Sequence, residues 1–239
     1  MSRMSAFDAR LRRTHNVECI CGVDEAGRGA LAGPVVAGAV LLGRDARLDG
    51  VNDSKQLSPE EREAAVGPIL RGCSAAAVGC ATPAEVDRLN VLQATHLAAH
   101  RALACLDRPT PLLVTDYLKL IVPGAEVFAP PRADSASLAV AAASILAKVA
   151  RDRFMTLLDA AHPGYGFARH KGYGTPEHLA ALAERGPTPI HRLTFAGVRW
   201  FDSTPPPSIE ASEPAINWMD LLSDDWSRIP PVSLVPSVL

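Results

Sequence analysis

The sequence predicts an α/β protein built on a mixed sheet of five strands flanked by helices. Three observations carry this. Two β-type apolar runs, Cys19 to Val23 and Pro34 to Leu42, are separated by a Gly-rich turn too short for a crossover helix, so they form an antiparallel pair. Three further runs, Ala75 to Ala81, Leu112 to Thr115 and Glu126 to Ala129, alternate with helical signals, which makes the sheet mixed. With 239 residues, 48% of them apolar and 21% charged, the chain has the length and composition to bury a globular core.

Each helix has a start signal. Ser58-Pro59-Glu60-Glu61 is a capping box with proline at the first helical position, opening a helix to about Arg71. Thr82-Pro83-Ala84-Glu85 repeats it and opens one long helix to about Leu106. Ser137 to about Ala161 reads as a helix rich in small residues, and Thr175-Pro176 caps another to about Arg185. No internal repeat is present, and the pattern fades near Trp200.

The expected organisation is an N-terminal segment (1–18), a catalytic domain (19–200) and an acidic, proline-rich tail (201–239). From Phe201 onward six acids face one base, a charge of −5, whereas residues 1–200 carry 23 bases and 20 acids, or +3. A mildly basic body suits a polyanionic partner. The tail holds seven of the 20 prolines and is expected to be mostly disordered and dispensable for chemistry. Within it, Ile216 to Leu222 can form a short amphipathic turn bearing Trp218, with Trp226 beyond; a solvated tail and a docking peptide for a protein partner are both open readings. No apolar run reaches the roughly 18 residues of a membrane span, and the start lacks a signal-peptide core, so a cytoplasmic protein is expected. Five cysteines without a CxxC pair indicate neither a disulfide framework nor a zinc site.

Asp24-Glu25 ends the first strand directly before Ala26-Gly27-Arg28-Gly29. Adjacent carboxylates at a buried strand end repel unless a cation or a proton relieves them, and oxygen ligands suit Mg²⁺ or Mn²⁺. Gly27, Gly29 and Gly33 only imitate a dinucleotide fingerprint, because a β-branched run follows where that motif needs a helix, and no P-loop lysine is present. A flexible backbone with Arg28 between two glycines suits close approach to a phosphate–sugar chain. Asp116 lies just past one strand and Asp134 just before the small-residue helix. Each alone reads as a turn or helix-start carboxylate, but with Asp24 and Glu25 they make four acids at element ends, the number a two-cation site uses. Ser144, Lys148 and Arg151 share a helix face, which is either solvated or phosphate-contacting. His96 and His100 read as helix-surface histidines.

Several segments together resemble the ribonuclease HII (type 2 ribonuclease H) family. They are GVDEAGRGALAGPVVAGAV (22–40), NDSKQLSPEER (52–62), VTDYLKL (114–120), ADSASLAVAAASILAKVARDR (133–153), HKGYGTPEH (170–178) and PIHRLTF (189–195). The resemblance implies a ribonuclease-H-like mixed sheet with a helical C-terminal extension. It implies that Asp24, Glu25, Asp116 and Asp134 hold two divalent cations, Mg²⁺ or Mn²⁺. It assigns Gly27, Arg28 and Gly29 to sensing a ribose 2′-hydroxyl and Tyr173 to stacking on the sugar after the scissile phosphate. Asp53, Ser54, Lys55, Ser135, Ser137, Lys148 and Arg151 fall in segments that line the substrate groove.

The implied activity is cleavage 5′ of ribonucleotides in RNA/DNA hybrids and in duplex DNA, by a monomer. An inert hybrid-binding module is the competing class; it could lose an acid, and all four are present. Two departures stand out. Tyr117 follows Asp116 where many relatives have Gly or Ala, which is expected to alter packing beside the acids, and the family's catalytic region does not account for the tail. Fewer than twenty residues precede the first strand, against the large N-terminal domain of ribonuclease HIII.

Overall fold

Eight residues separate β1 (Ile20–Ala26) from β2 (Val35–Leu42), and the two strands pair antiparallel, from Ile20 opposite Leu42 to Ala26 opposite Val36. The computed structural model describes residues 2–48, 50–198 and 217–224. β3 (Ala75–Ala81), β4 (Leu112–Thr115) and β5 (Glu126–Phe128) complete a five-stranded sheet in the order β3-β2-β1-β4-β5. β4 runs parallel to both β1 and β5, so the sheet is mixed as expected.

The chain divides into two compact units, one made of residues 1–26, 36–80 and 96–149, the other of 27–35, 81–95 and 150–239. In the first, the early turns of α6 (Leu138–Ala161) lie directly on the sheet. A Cβ on Gly22 would fall 2.1 Å from the Ala139 carbonyl carbon, and one on Gly38 2.3 Å from the Ala143 oxygen. Glycine in the strands and alanine in the helix thus allow a backbone-to-backbone approach that larger residues would block. Side chains two apart share a face of a strand, so the face that turns Gly22 to α6 turns Asp24 there too.

Residues 1–18, expected only as a leading segment, contain α1 (Arg3–His15), capped by Ser2 at one end and by left-handed Asn16 at the other. Asp8 on α1 accepts from the Ala139 N–H at 3.1 Å, satisfying an orphan donor in the first turn of α6. α2 (Pro59–Gly72) has the expected capping box, Ser58 with Glu61. The expected single helix from Pro83 is instead two, α3 (Pro83–Leu89) and α4 (Val91–Cys105). The break is Asn90, with φ 69, whose side-chain oxygen accepts from the Leu92 and Gln93 N–H groups and so caps a new helix. α5 (Ala133–Ala136) precedes α6.

The second unit carries α7 (Phe167–His170) and α8 (Pro176–Arg185), the latter capped by Thr175. Leu31, Leu182 and Val198 form a buried cluster, with Leu193 and Phe195 packed on it. The tail reading needs correction here. Residues 217–224 are not a solvated appendix: Trp218 is buried with its ring 4.8 Å from that of Phe154, Leu221 and Leu222 are buried, and Arg153 donates to the Leu221 and Ser223 carbonyls. Trp218, Leu221 and Leu222 stand at i, i+3 and i+4, so one turn aims all three at the same surface. The rest of the expected disorder, at 201–216 and 225–239, and Trp226 lie outside the described residues.

Candidate active site

The four acids gather in the first unit. Val23 pairs with Thr115 in the parallel register of β1 and β4, so the next residues sit side by side, Asp116 just past the end of β4 and Asp24 two residues before the end of β1. Asp116 Oδ1 accepts from the Ala133 N–H at 3.1 Å, tying the end of β4 to the start of α5. Asp134, in the first turn of α5, is buried; its Oδ1 accepts from the Ser135 N–H at 2.9 Å and its Oδ2 from Lys55 Nζ at 2.6 Å. Asp24 is buried and accepts from the Ser144 hydroxyl of α6. Burial first, and then the charges of Glu25 and Asp116, push its carboxyl up to about 8. Lys55 is held above its ordinary range by its bond to Asp134, with Asp24 and Asp53 adding to the effect.

This is a set of hard oxygen donors under mutual repulsion, which a divalent cation relieves, so the donor chemistry fits one. The side chains are not preset as a cage. Among the described residues no group of three His, Cys, Asp or Glu stands ready to hold a metal ion, and the Lys55 ammonium covers one Asp134 oxygen.

The loop before α2 is fixed by local bonds. Asp53 is buried and its carboxylate accepts from the Lys55 N–H, while Ser54 shares a 2.8 Å hydroxyl contact with Ser144. Arg62 donates to the Ser54 and Leu57 carbonyls and holds the loop shut. Lys55 and Ser135 reach solvent and Lys148 is half-buried. Ser137 does not line an open groove: it is fully buried, bonded to Asp8, and its hydroxyl accepts from the Val140 N–H as the cap of α6. Tyr117 likewise does not pack beside the acids. It is 73% exposed, and its φ of 60 lies in the left-handed region that side chains rarely adopt.

The remaining candidates belong to the second unit. Gly27 is buried with φ 91, and a Cβ there would fall 2.0 Å from Arg151 Nε; Gly29 meets nothing within 4 Å and has no positive φ. Arg28 and Gly29 are exposed. Arg151 requires the second correction, because it shows no face to solvent or to phosphate. It is completely buried and donates to the carbonyls of Pro34 (3.0 Å), Ala32 (3.1 Å) and Lys171 (3.0 Å). Its guanidinium lies 5.4 Å from the ring centre of Tyr173, which is 36% exposed.

Two features of this unit escape sequence reasoning. Arg192 is fully buried and donates to the carbonyls of Gly27 (2.7 Å), Arg28 (2.8 Å) and Gly33 (2.8 and 3.0 Å). Burial and the nearby Arg151 charge push it down to about 9, so it stays cationic at neutral pH. His178 and His191 touch through their Nε2 atoms at 3.0 Å, while His178 Nδ1 lies 3.0 Å from the Tyr173 carbonyl and His191 Nδ1 2.9 Å from the Thr188 N–H. One neutral arrangement satisfies all three bonds: Thr188 donates to His191, His191 to His178, and His178 to Tyr173. Burial first, then the facing His178, pushes His191 down to about 3. The segments PIHRLTF and HKGYGTPEH contain these residues, but spacing alone gives no sign that they meet.

A mixed sheet with acids clustered at its strand ends, compared with known proteins, defines a ribonuclease H enzyme. The family described as ribonuclease HII matches residues 21–198. A ribonuclease HII of Thermus thermophilus is 55% identical over 179 residues, covering 75% of this chain and 87% of that protein. The crystal structure of ribonuclease H2 from Pyrococcus horikoshii OT3 superposes with a TM-score of 0.67 at 29% identity, covering 77% of this chain and 96% of that one. Bst ribonuclease HIII in complex with Mn²⁺ superposes with a TM-score of 0.58 at 23% identity, over 76% of this chain and 68% of that one, which speaks for the fold alone. The chain belongs to the ribonuclease HII family.

Proposed function

We propose that this chain is an endoribonuclease that hydrolyses the phosphodiester 5′ of ribonucleotides, in RNA/DNA hybrids and at single ribonucleotides within duplex DNA. The products are a 5′-phosphate and a 3′-hydroxyl. The observation that carries this reading is the gathering of Asp24, Glu25, Asp116 and Asp134 near the end of β1, just past β4 and at the start of α5, with Asp24 pushed up by burial and by its charged neighbours.

These four residues would hold two divalent cations, Mg²⁺ or Mn²⁺. When bound, the cations supply positive charge at the scissile phosphate and its leaving oxygen. The chain's own groups do the rest. Ser144 and the Ala133 N–H fix the orientations of Asp24 and Asp116. Lys55, bonded to Asp134 and otherwise exposed, puts an ammonium beside the acids, available to a phosphate. Gly29 leaves open space for a sugar to approach the backbone, where an amide can read a 2′-hydroxyl. Tyr173 offers part of a flat ring, on which a deoxyribose packs better than a ribose. Lys148 and Ser135 are placed to contact the strand backbone. Among the described residues no helix is long and apolar enough to cross a membrane, consistent with action on DNA in the cytoplasm.

Asp24→Asn tests the reading. It should fold as the parent does, because it removes charge repulsion from a buried site, yet cleave an RNA/DNA hybrid slower by at least about a hundredfold. Parent-like turnover at saturating Mg²⁺ would exclude Asp24 from the reaction.

A further inference from the structure

Ribose sensing by a three-residue backbone segment raises a physical question: what holds that segment still. Glycine on both sides of Arg28 gives 27–29 a backbone with few intrinsic restraints, and ordering such a segment on binding costs affinity. The answer lies in the carbonyls. Arg192 Nη2 donates to the Gly27 oxygen at 2.7 Å and Nη1 to the Arg28 oxygen at 2.8 Å, and the same guanidinium donates to the Gly33 oxygen at the other end of the loop. The Gly27 oxygen also accepts from the Ala30 N–H at 3.3 Å, closing the turn.

Among the described residues no peptide bond is cis, and in a trans peptide the C=O and N–H point in opposite directions. Two successive carbonyls directed at one buried guanidinium therefore direct the N–H groups of Arg28 and Gly29 to the opposite side. On that side Arg28 and Gly29 are exposed, and space beside Gly29 is open.

We propose that Arg192 is a positioning residue for ribose recognition: by holding the Gly27 and Arg28 carbonyls inward, it presents the Gly29 N–H outward as a preset donor to the 2′-hydroxyl. This rests on the reading of residues 27–29 given above and adds to it the group that makes them selective. The role needs the planar fork of arginine. A lysine at 192 keeps the charge, but its compact ammonium on a flexible stem cannot hold three carbonyls in the same geometry.

The test is equilibrium binding in EDTA, where nothing is cut. Dissociation constants are measured for two duplexes of one sequence, one all DNA and one carrying a single ribonucleotide. The parent should prefer the ribonucleotide duplex, and Arg192→Lys should lose at least about fivefold of that preference. An unchanged preference in a folded Arg192→Lys variant, or an equal loss on both duplexes, would overturn the proposal. A parent without preference would instead defeat the ribose-sensing reading itself. Should Arg192→Lys fail to fold, glycine-labelled parent protein gives a second measurement by NMR. The Gly29 amide signal, assigned by its disappearance in Gly29→Ala, should shift with the ribonucleotide duplex and not with the all-DNA duplex. A preferring parent whose Gly29 amide responds equally to both overturns the proposal.

Discussion

Gly27 and Gly29 stand two residues apart in one short motif and do different things. At Gly27 a methyl group would collide with the buried Arg151 guanidinium and the backbone has φ 91, so Gly27→Ala should destabilise the fold by on the order of 2–3 kcal/mol. At Gly29 a methyl meets open space, so Gly29→Ala should melt within a degree or two of the parent. It should nevertheless cut tenfold or more slowly, because the methyl would stand where the sugar approaches. Melting curves and cleavage rates of the two variants decide this, and a fully active Gly29→Ala would show that no substrate comes near. That Asp24, Glu25, Asp116 and Asp134 lie near element ends was legible in the sequence, although each alone reads as an ordinary turn or helix-start carboxylate and only the resemblance groups them as one site. The burial of Arg151 and Ser137 was not: a helix pattern tells which residues share a face, but not whether that face meets water or a set of backbone carbonyls.

α8 was legible from its Thr175-Pro176 start, and so were the strands Ala75–Ala81 and Leu112–Thr115 with the bounds observed. What periodicity missed were the places where one side chain redirects the backbone, above all Asn90, which splits a continuous apolar pattern into α3 and α4. His178 of α8 and His191 beyond it bring a pH dependence to this unit. His178 and His191 are both held below their ordinary value, so they favour the fold when neutral. That stability is fully present above the unfolded value of 6.5 and is lost as pH falls toward about 3. Protonating both rings would set N–H against N–H between them and take from His191 Nδ1 the lone pair that accepts from Thr188. Asp8 works in the opposite sense: pushed up to about 6 by burial, it favours the fold below 3.8 and loses that contribution as pH rises through 6. The difference between parent and His191→Gln melting temperatures from pH 4 to 8 isolates the histidine pair. It should shrink steadily on the acid side, and a constant difference would show that the pair does not titrate with folding.

At the scale of the whole molecule, part of the expected tail, residues 217–224, is packed rather than solvated. Composition predicted a mostly disordered tail that is dispensable for chemistry, and composition averages over the three residues that are buried here. Trp218, Leu221 and Leu222 are buried in the second unit, so Trp218→Ala should lower stability by on the order of 3 kcal/mol, measured by denaturant unfolding. Deletion from residue 203 should lower the melting temperature comparably while leaving the four acids in place; an unchanged melting temperature would show that the docked turn contributes nothing. What the whole chain does is tested most directly with an end-labelled DNA duplex carrying one ribonucleotide, incubated with the full-length protein with and without Mg²⁺ or Mn²⁺, beside Asp134→Asn. A single cut 5′ of the ribonucleotide should appear only with the cation and fall by orders of magnitude in the variant. A cut elsewhere, a cut that persists in EDTA, or an Asp134→Asn rate equal to the parent's would show that the acids at the sheet edge do not perform this reaction.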